Sequence, residues 1–158
     1  MKFLIAFLSA LFLSTSALAD NAMIQAILLG ENQVPVVETK IIGEFLFTTT
    51  DNNWYLVAKG TNSGDLITAA HIHCGKAGTN GPVVYPFVSG TPRVSIYAKG
   101  KFDNSKFVSY QTSATCPVII KNITQLRTAI KNGYAYVNVH TQAHPAGTVR
   151  GQVFTLIP

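Results

Sequence analysis

All four histidines of the chain lie in two short windows, and the first window has the spacing of a metal-binding pair. His71 and His73 stand two residues apart in AAHIHCGKAGTNGPVV, and the other two lie in YAYVNVHTQAHPAGTVRGQ. On a β-strand, side chains two residues apart project from the same face, with backbones about 7 Å apart. Such a pair can converge on one ion. Neutral imidazoles without a carboxylate are typical of copper or zinc sites, and the Irving–Williams order favours copper.

In the second window, the alternation of polar and apolar residues predicts which side chains share a face with His140. Its alternate polar residues are Tyr136, Asn138 and His140. Val137 and Val139 lie between them, and if these valines face the core, the polar side chains point outward. His144 follows in a loop with Pro145 and Gly147, where it is a fourth ligand or a lid. We therefore expect an outward metal-binding patch, roofed by glycine-rich loops, with the ligands His71, His73, His140 and His144.

The same patch also suits two other hypotheses. Its polar side chains can instead form a network that fixes the register of the two strands. The protein would then be a structural or protein-interaction module of the cell envelope or extracellular space. The third hypothesis is a dismutase-like redox enzyme, in which Arg150 attracts a small anion to an open position on the metal. Alternatively, loop carbonyls hold Arg150. Arg150, Tyr136 and Asn138 would then contact the metal ligands and not the metal itself.

Residues 1–19 have the pattern of a secretory signal peptide. Lys2 supplies the positive start, residues 3–13 are apolar, and Ala17 and Ala19 form a small-x-small cleavage site before Asp20. The apolar run is too short to span a membrane. We expect one exported domain, residues 20–158, that is periplasmic or secreted.

The charge pattern argues against a nucleic-acid partner. The formal net charge is +5, and one unit less after Lys2 is removed with the signal. The basic residues are scattered and form no stripe along one face. The partners that the sequence favours are a metal ion and an extracellular or envelope protein.

The chain has two cysteines, Cys74 and Cys116. In an oxidising compartment, an even cysteine count predicts a disulfide. In the alternative, Cys74 is a soft metal ligand beside His73, and Cys116 is left as a free thiol.

Short apolar segments separated by polar turns predict an all-β protein. The predicted strands are residues 22–30, 41–50, 54–60, 66–73, 83–88, 94–98, 134–141 and 148–157. Residues 107–110 are a poorer candidate. One helix is predicted over residues 124–132, capped by Thr124 and ended by Gly133. This pattern favours an antiparallel β-sandwich with one helical crossover.

Several segments together resemble the CHRD family, the domain named after chordin and found also as single-domain exported bacterial proteins. These segments are GENQVP, AAHIHCGKAGTNGPVV, AIKNGYAYVNVHT and PAGTVRGQV. They occur in family order and cover nearly all of the chain after the predicted signal. The resemblance implies a Greek-key β-sandwich, immunoglobulin-like or dismutase-like, and it supplies no settled biochemical activity.

There is also a looser likeness to copper-zinc superoxide dismutases. Those enzymes place an HxH pair on the outer face of a β-barrel, which His71 and His73 would match, and an arginine near the channel mouth, which Arg150 would match. This chain lacks a matched bridging histidine, a carboxylate zinc ligand in the histidine windows and a long metal loop. The likeness therefore implies only an outward imidazole site.

Overall fold

The computed structural model describes residues 22–60 and 64–157. Within these residues the chain forms two antiparallel β-sheets and one α-helix, which confirms the predicted all-β sandwich. The predicted signal segment, residues 1–19, lies outside the described residues. No helix in the described part of the chain has the length and apolar character needed to cross a membrane.

The strands are divided between a five-stranded and a four-stranded sheet. In chain order the elements are β1 (Met23–Leu28), β2 (Ile42–Thr48), β3 (Asn53–Lys59), β4 (Ile67–Cys74), β5 (Val83–Arg93), β6 (Ser95–Lys101), the helix α1 (Ile123–Lys131), β7 (Ala135–Thr141), β8 (Val149–Gln152) and β9 (Phe154–Ile157). The larger sheet has the order β6-β3-β2-β1-β9, and the smaller has the order β5-β4-β7-β8.

Alternating side chains of both sheets form the core between them. In β3, Trp54, Leu56 and Ala58 are buried and the residues between them are exposed. In the smaller sheet, Ile72 and Val137 belong to the same core. Each buried aliphatic side chain of this size contributes about 1.5–3 kcal/mol. Because a slip of one residue would turn all of them outward, this alternation fixes the outward face of each strand.

The helix begins one residue earlier than predicted. Its N-cap is Asn122 and not Thr124, because the Asn122 side chain accepts a hydrogen bond from the backbone N–H of Gln125. This is the usual bond from an N-cap side chain to the third helical residue. The prediction for the other end is confirmed: Gly133 follows the helix with φ 72°, a conformation that favours glycine.

The C-terminal segment forms two strands where one was predicted. Strand β8 pairs with β7 in the smaller sheet, while β9 pairs with β1 in the larger sheet. Val153 lies between them and is buried. The candidate segment 107–110 is not a strand; instead the Tyr110 hydroxyl donates to the Val118 carbonyl and accepts from the Ile120 N–H.

A disulfide joins Cys74 to Cys116, with their Cα atoms 5.5 Å apart. Both residues are fully buried. The bridge ties the end of β4, directly after His73, to the irregular segment that precedes α1. This agrees with the predicted pairing and leaves Cys74 no thiolate to offer a metal.

Candidate metal centre

Strands β4 and β7 lie side by side and carry three histidines on the outward surface of the smaller sheet. The register pairs Ala69 with His140, His71 with Asn138, and His73 with Tyr136. Ile72, Val137 and Val139 point the other way, into the core, so the polar side chains face outward as the alternation predicted. We call this surface the covered face and define it by His71, His73, Tyr136, Asn138, His140 and Arg150.

The ring nitrogens of His71, His73 and His140 converge. One nitrogen of each ring lies within 4.8 Å of the others. His71 Nδ1 is 3.1 Å from His140 Nε2. Nitrogens bound to the same zinc or copper ion, each at about 2.0–2.1 Å, stand roughly 3.4 Å apart. Small side-chain movements would therefore bring all three nitrogens to bonding distance of one ion.

Backbone carbonyls fix the tautomer of two of these rings. His73 Nδ1 lies 3.0 Å from the Gly81 carbonyl oxygen, and His140 Nδ1 lies 3.0 Å from that of Pro145. A carbonyl can only accept, so both Nδ1 atoms carry the proton, and both Nε2 atoms carry a lone pair. Metal-binding histidines commonly donate their second ring N–H to a carbonyl in this way.

The Nε2 atom of His73 is buried and has no hydrogen-bond partner. Leaving such an acceptor unpaired costs about 1–3 kcal/mol, and native structures contain few such atoms. A bound metal ion would satisfy this lone pair.

All three rings are held neutral near pH 7. Burial lowers the pKa of His71 to about 4, and the neighbouring His140 adds to the effect. Burial also lowers the pKa of His73 to about 4, although the bond to the Gly81 carbonyl opposes the shift. Burial lowers the pKa of His140 too, again against its carbonyl bond. Neutral imidazoles are the form that binds a metal, so no proton has to be displaced at neutral pH.

Tyr136 orients the loop that holds His73. Its ring stacks on the imidazole of His73, with centroids 5.0 Å apart. Its hydroxyl accepts a hydrogen bond of 3.0 Å from the Gly81 N–H. Gly81 is thus bound through its N–H to Tyr136 and through its carbonyl to His73. These contacts connect strand β7 to the loop after β4.

Arg150 is 2% exposed and lies on the other side of the Tyr136 ring, with Cζ 3.5 Å from the ring centroid. Its guanidinium donates to the carbonyl of Lys76 at 2.9 Å and to the side chain of Asn80 at 3.2 Å. Burial lowers the pKa of Arg150. The geometry is that of a cation held by loop oxygens, one of the two roles that the sequence left open for this residue.

Asn138 is covered by the loop after β7 and by the segment that contains Gln33. It is 3% exposed and hydrogen-bonds to the side chain of Gln33 at 2.6 Å. Its amide also donates to the carbonyl of Ala146 at 3.3 Å. Gly147 packs so closely against Asn138 that a Cβ atom there would overlap the amide. The segment 30–35 is therefore part of the roof over the covered face.

His144 is the predicted ligand that the structure does not bring into the cluster. It lies in the loop after β7, where its N–H donates to the Thr141 hydroxyl and its carbonyl accepts from Gly147. The group of converging nitrogens comprises His71, His73 and His140. Sequence reasoning missed the carbonyls of Gly81 and Pro145, which orient two of the rings, and the side chains of Asn80 and Gln33, which contact Arg150 and Asn138. Backbone carbonyls leave no signal in residue type, whereas Gln33 lies in GENQVP, one of the segments that carry the family resemblance.

Three comparisons with known proteins complete this description. A search of curated proteins and a search of solved structures each gave no significant match. The scan of protein families matched the CHRD domain over residues 24–153. The matched range runs from Ile24 in β1 to Val153, the residue before β9, and it contains all four resembling segments. The chain therefore belongs to the CHRD domain family.

Proposed function

We propose that this CHRD-domain protein is an exported metal-binding protein that holds one copper or zinc ion through His71, His73 and His140. The observation that carries the proposal is the Nε2 atom of His73, which is buried and unpartnered while belonging to a group of nitrogens within 4.8 Å of one another. A bound ion would give this buried nitrogen the partner that it otherwise lacks.

The ligand chemistry supports copper or zinc over the hard cations. Calcium and magnesium take oxygen ligands, whereas three neutral imidazoles suit copper and zinc. At equal availability, the Irving–Williams order favours Cu(II) over Zn(II). The carbonyls of Gly81 and Pro145 would hold the rings in the required tautomer. His144, in the adjoining loop, would serve as a replaceable fourth ligand or as a lid.

Export is part of the proposal. It is supported by the N-terminal pattern of residues 1–19 and by a buried disulfide, since disulfides persist in oxidising compartments. The periplasm or the extracellular space would be the place of action. A capture role suits a site in which at least one ligand, His71, is only partly buried.

The architectural alternative also has one specific observation in its favour. The 3.1 Å contact between His71 Nδ1 and His140 Nε2 is a good hydrogen bond in the absence of metal, if His71 carries the proton on Nδ1. Such a bond would join β4 to β7 without any ion. Dismutase-like redox chemistry has less support, because Arg150 is buried and its guanidinium contacts loop oxygens.

The deciding experiment is a melting titration of purified protein that has been stripped with chelator and then given Cu(II) or Zn(II). We expect one equivalent to bind, with a preference for copper. At free metal a thousandfold above Kd, binding stabilises the native state by about 4 kcal/mol, which is a readily measured shift in Tm.

Variants separate the hypotheses. His71→Ala combined with His73→Ala should abolish the metal-dependent shift. His144→Ala, the matched control from outside the cluster, should only weaken it, because water can replace a loop ligand. If neither metal changes the Tm of the wild-type protein, the proposal is excluded. If the double variant then melted lower than wild type without metal, the architectural role would be the explanation.

A further inference from the structure

The outward surface of the larger sheet carries many apolar side chains although it is exposed. A sheet with one face on the core normally has polar residues on the other face. Eight of the large apolar side chains that are exposed among the described residues lie on this sheet: Met23, Ile27, Ile42, Tyr55, Val57, Tyr97, Phe154 and Leu156. We call this surface the open face and define it by these eight residues. No residue of the histidine cluster belongs to it.

The residues of the open face are neighbours across the strands. The register places Ile27 opposite Glu44, Glu44 opposite Val57, and Val57 opposite Tyr97. Their exposed fractions run from 36% for Val57 to 77% for Tyr97. At this exposure the eight side chains present on the order of 800 Å², which exceeds the few hundred Å² common on monomers and equals one side of a standard protein interface.

The charges on this face favour a protein partner over a lipid surface. Glu44 lies on the central strand β2, where its carboxylate accepts a hydrogen bond from Gln25 at 2.6 Å. A lipid layer would desolvate this carboxylate without pairing it, whereas a protein partner can supply a cation to it. Strands β3 and β6, on one side of β2, carry Lys59, Lys99 and Lys101, all exposed. A second copy of this surface can therefore pair a lysine with Glu44.

From the area and these charges we propose that the open face binds a second copy of this chain, giving a symmetric dimer. A two-fold axis that lies between the two faces, midway between Glu44 and Lys59 and perpendicular to the line joining them, exchanges these two positions between the copies. Glu44 then faces Lys59 of the second copy, and symmetry makes this contact twice. Lys59 lies two residues beyond Val57, which is opposite Glu44, so the two charges are about 8 Å apart within one copy, and the second copy brings an opposite charge closer to each.

The test is the oligomeric state of the purified protein by sedimentation equilibrium at increasing concentration. An interface of this area with few ion pairs should give a dimer with Kd on the order of 10 μM. Val57→Lys and Ile27→Lys should each raise Kd more than tenfold, because each places a charge within the apolar contact. Val36→Lys is the matched control, since Val36 is 65% exposed but lies outside the sheet; it should leave Kd unchanged.

A charge exchange tests the arrangement. Glu44→Lys and Lys59→Glu should each weaken the dimer, and the two together should restore it, because the ion pairs are then formed with reversed signs. Tm measured at low concentration shows that each variant is folded. A protein that stays monomeric up to millimolar concentration would overturn the proposal. Sedimentation of a monomer with vesicles of equimolar phosphatidylcholine and phosphatidylglycerol would assign the face to lipid instead.

Discussion

The two outward surfaces of the sandwich have opposite relations between side-chain polarity and burial. The covered face is polar and buried: Asn138 is 3% exposed and Arg150 is 2% exposed. The open face is apolar and exposed, with Ile42 at 61% and Tyr97 at 77%. The two sheets share one core, so the difference arises outside the core, from the loops that lie over one sheet.

This comparison shows what a roof of loops requires. Buried polar side chains are tolerated when they are hydrogen-bonded, and the covered face meets that condition largely with loop carbonyls, including those of Lys76, Gly81, Pro145 and Ala146. His73 Nε2 is the exception among the cluster nitrogens, because it is buried without a partner. On the covered face, polar groups therefore position the histidine cluster, whereas on the open face apolar side chains remain exposed to solvent.

The largest expected effect breaks the roof itself. A Cβ atom added at Gly81 would overlap the carbonyl oxygen of Cys74, which belongs to backbone and cannot move freely. Gly81→Ala should therefore destabilise the protein by roughly 3 kcal/mol or more. Urea unfolding at fixed pH measures the change, and metal affinity should fall with it because Gly81 orients His73.

Gly78→Ala is the matched control in the same loop. Gly78 has φ 76° and open space where a Cβ would lie, so alanine there should cost only about 1 kcal/mol, for the backbone conformation. Equal losses at the two positions would show that the loop does not press on the covered face.

The second effect is acid destabilisation of the metal-free protein. His73 titrates at about 4 when folded and near 6.5 when unfolded, so the unfolded chain binds more protons between these values. Stability is therefore full above pH 6.5 and falls as the pH drops toward 4. His73 alone should account for roughly 2–4 kcal/mol, at 1.36 kcal/mol per pKa unit, and His71 should add to the loss.

Urea unfolding in chelator at pH 7 and pH 4.5 measures this effect, with His73→Gln as the comparison. The variant should lose less stability than wild type between the two pH values. A wild-type protein that is equally stable at both would mean that the covered face admits protons and water when folded.

Period-two alternation predicted the covered face well but not the open one. Val137 and Val139 are apolar and adjacent to polar neighbours, so the sequence fixes which side of β7 faces the core. In β1, by contrast, both the inward Leu28 and the outward Ile27 are apolar. A strand with apolar residues on both faces has no alternation from which its outward face could be read.

The histidine cluster was predicted in part, for a related reason. The spacing of His71 and His73 on one strand determines that they share a face, and the pairing of β4 with β7 adds His140. The position of His144 depends on a loop whose path follows from backbone hydrogen bonds to Thr141 and Gly147. Such bonds do not involve the histidine side chain, so the residue type at position 144 could not predict where the ring lies.

The smallest expected effect compares one atom on each face. The Tyr136 hydroxyl accepts the Gly81 N–H on the covered face, while Tyr97 is 77% exposed on the open face. Tyr136→Phe leaves that N–H without its partner and should cost about 1–3 kcal/mol. Tyr97→Phe removes the same oxygen atom from a solvated ring and should change stability by less than about 0.5 kcal/mol. Both are measured by urea unfolding at low micromolar protein, where a dimer of the proposed affinity is mostly dissociated. If the two variants lost equal stability, the hydrogen bond between Tyr136 and the loop after β4 would contribute no more to stability than the solvation of the Tyr97 hydroxyl. The distinction between a covered and an open face would then fail.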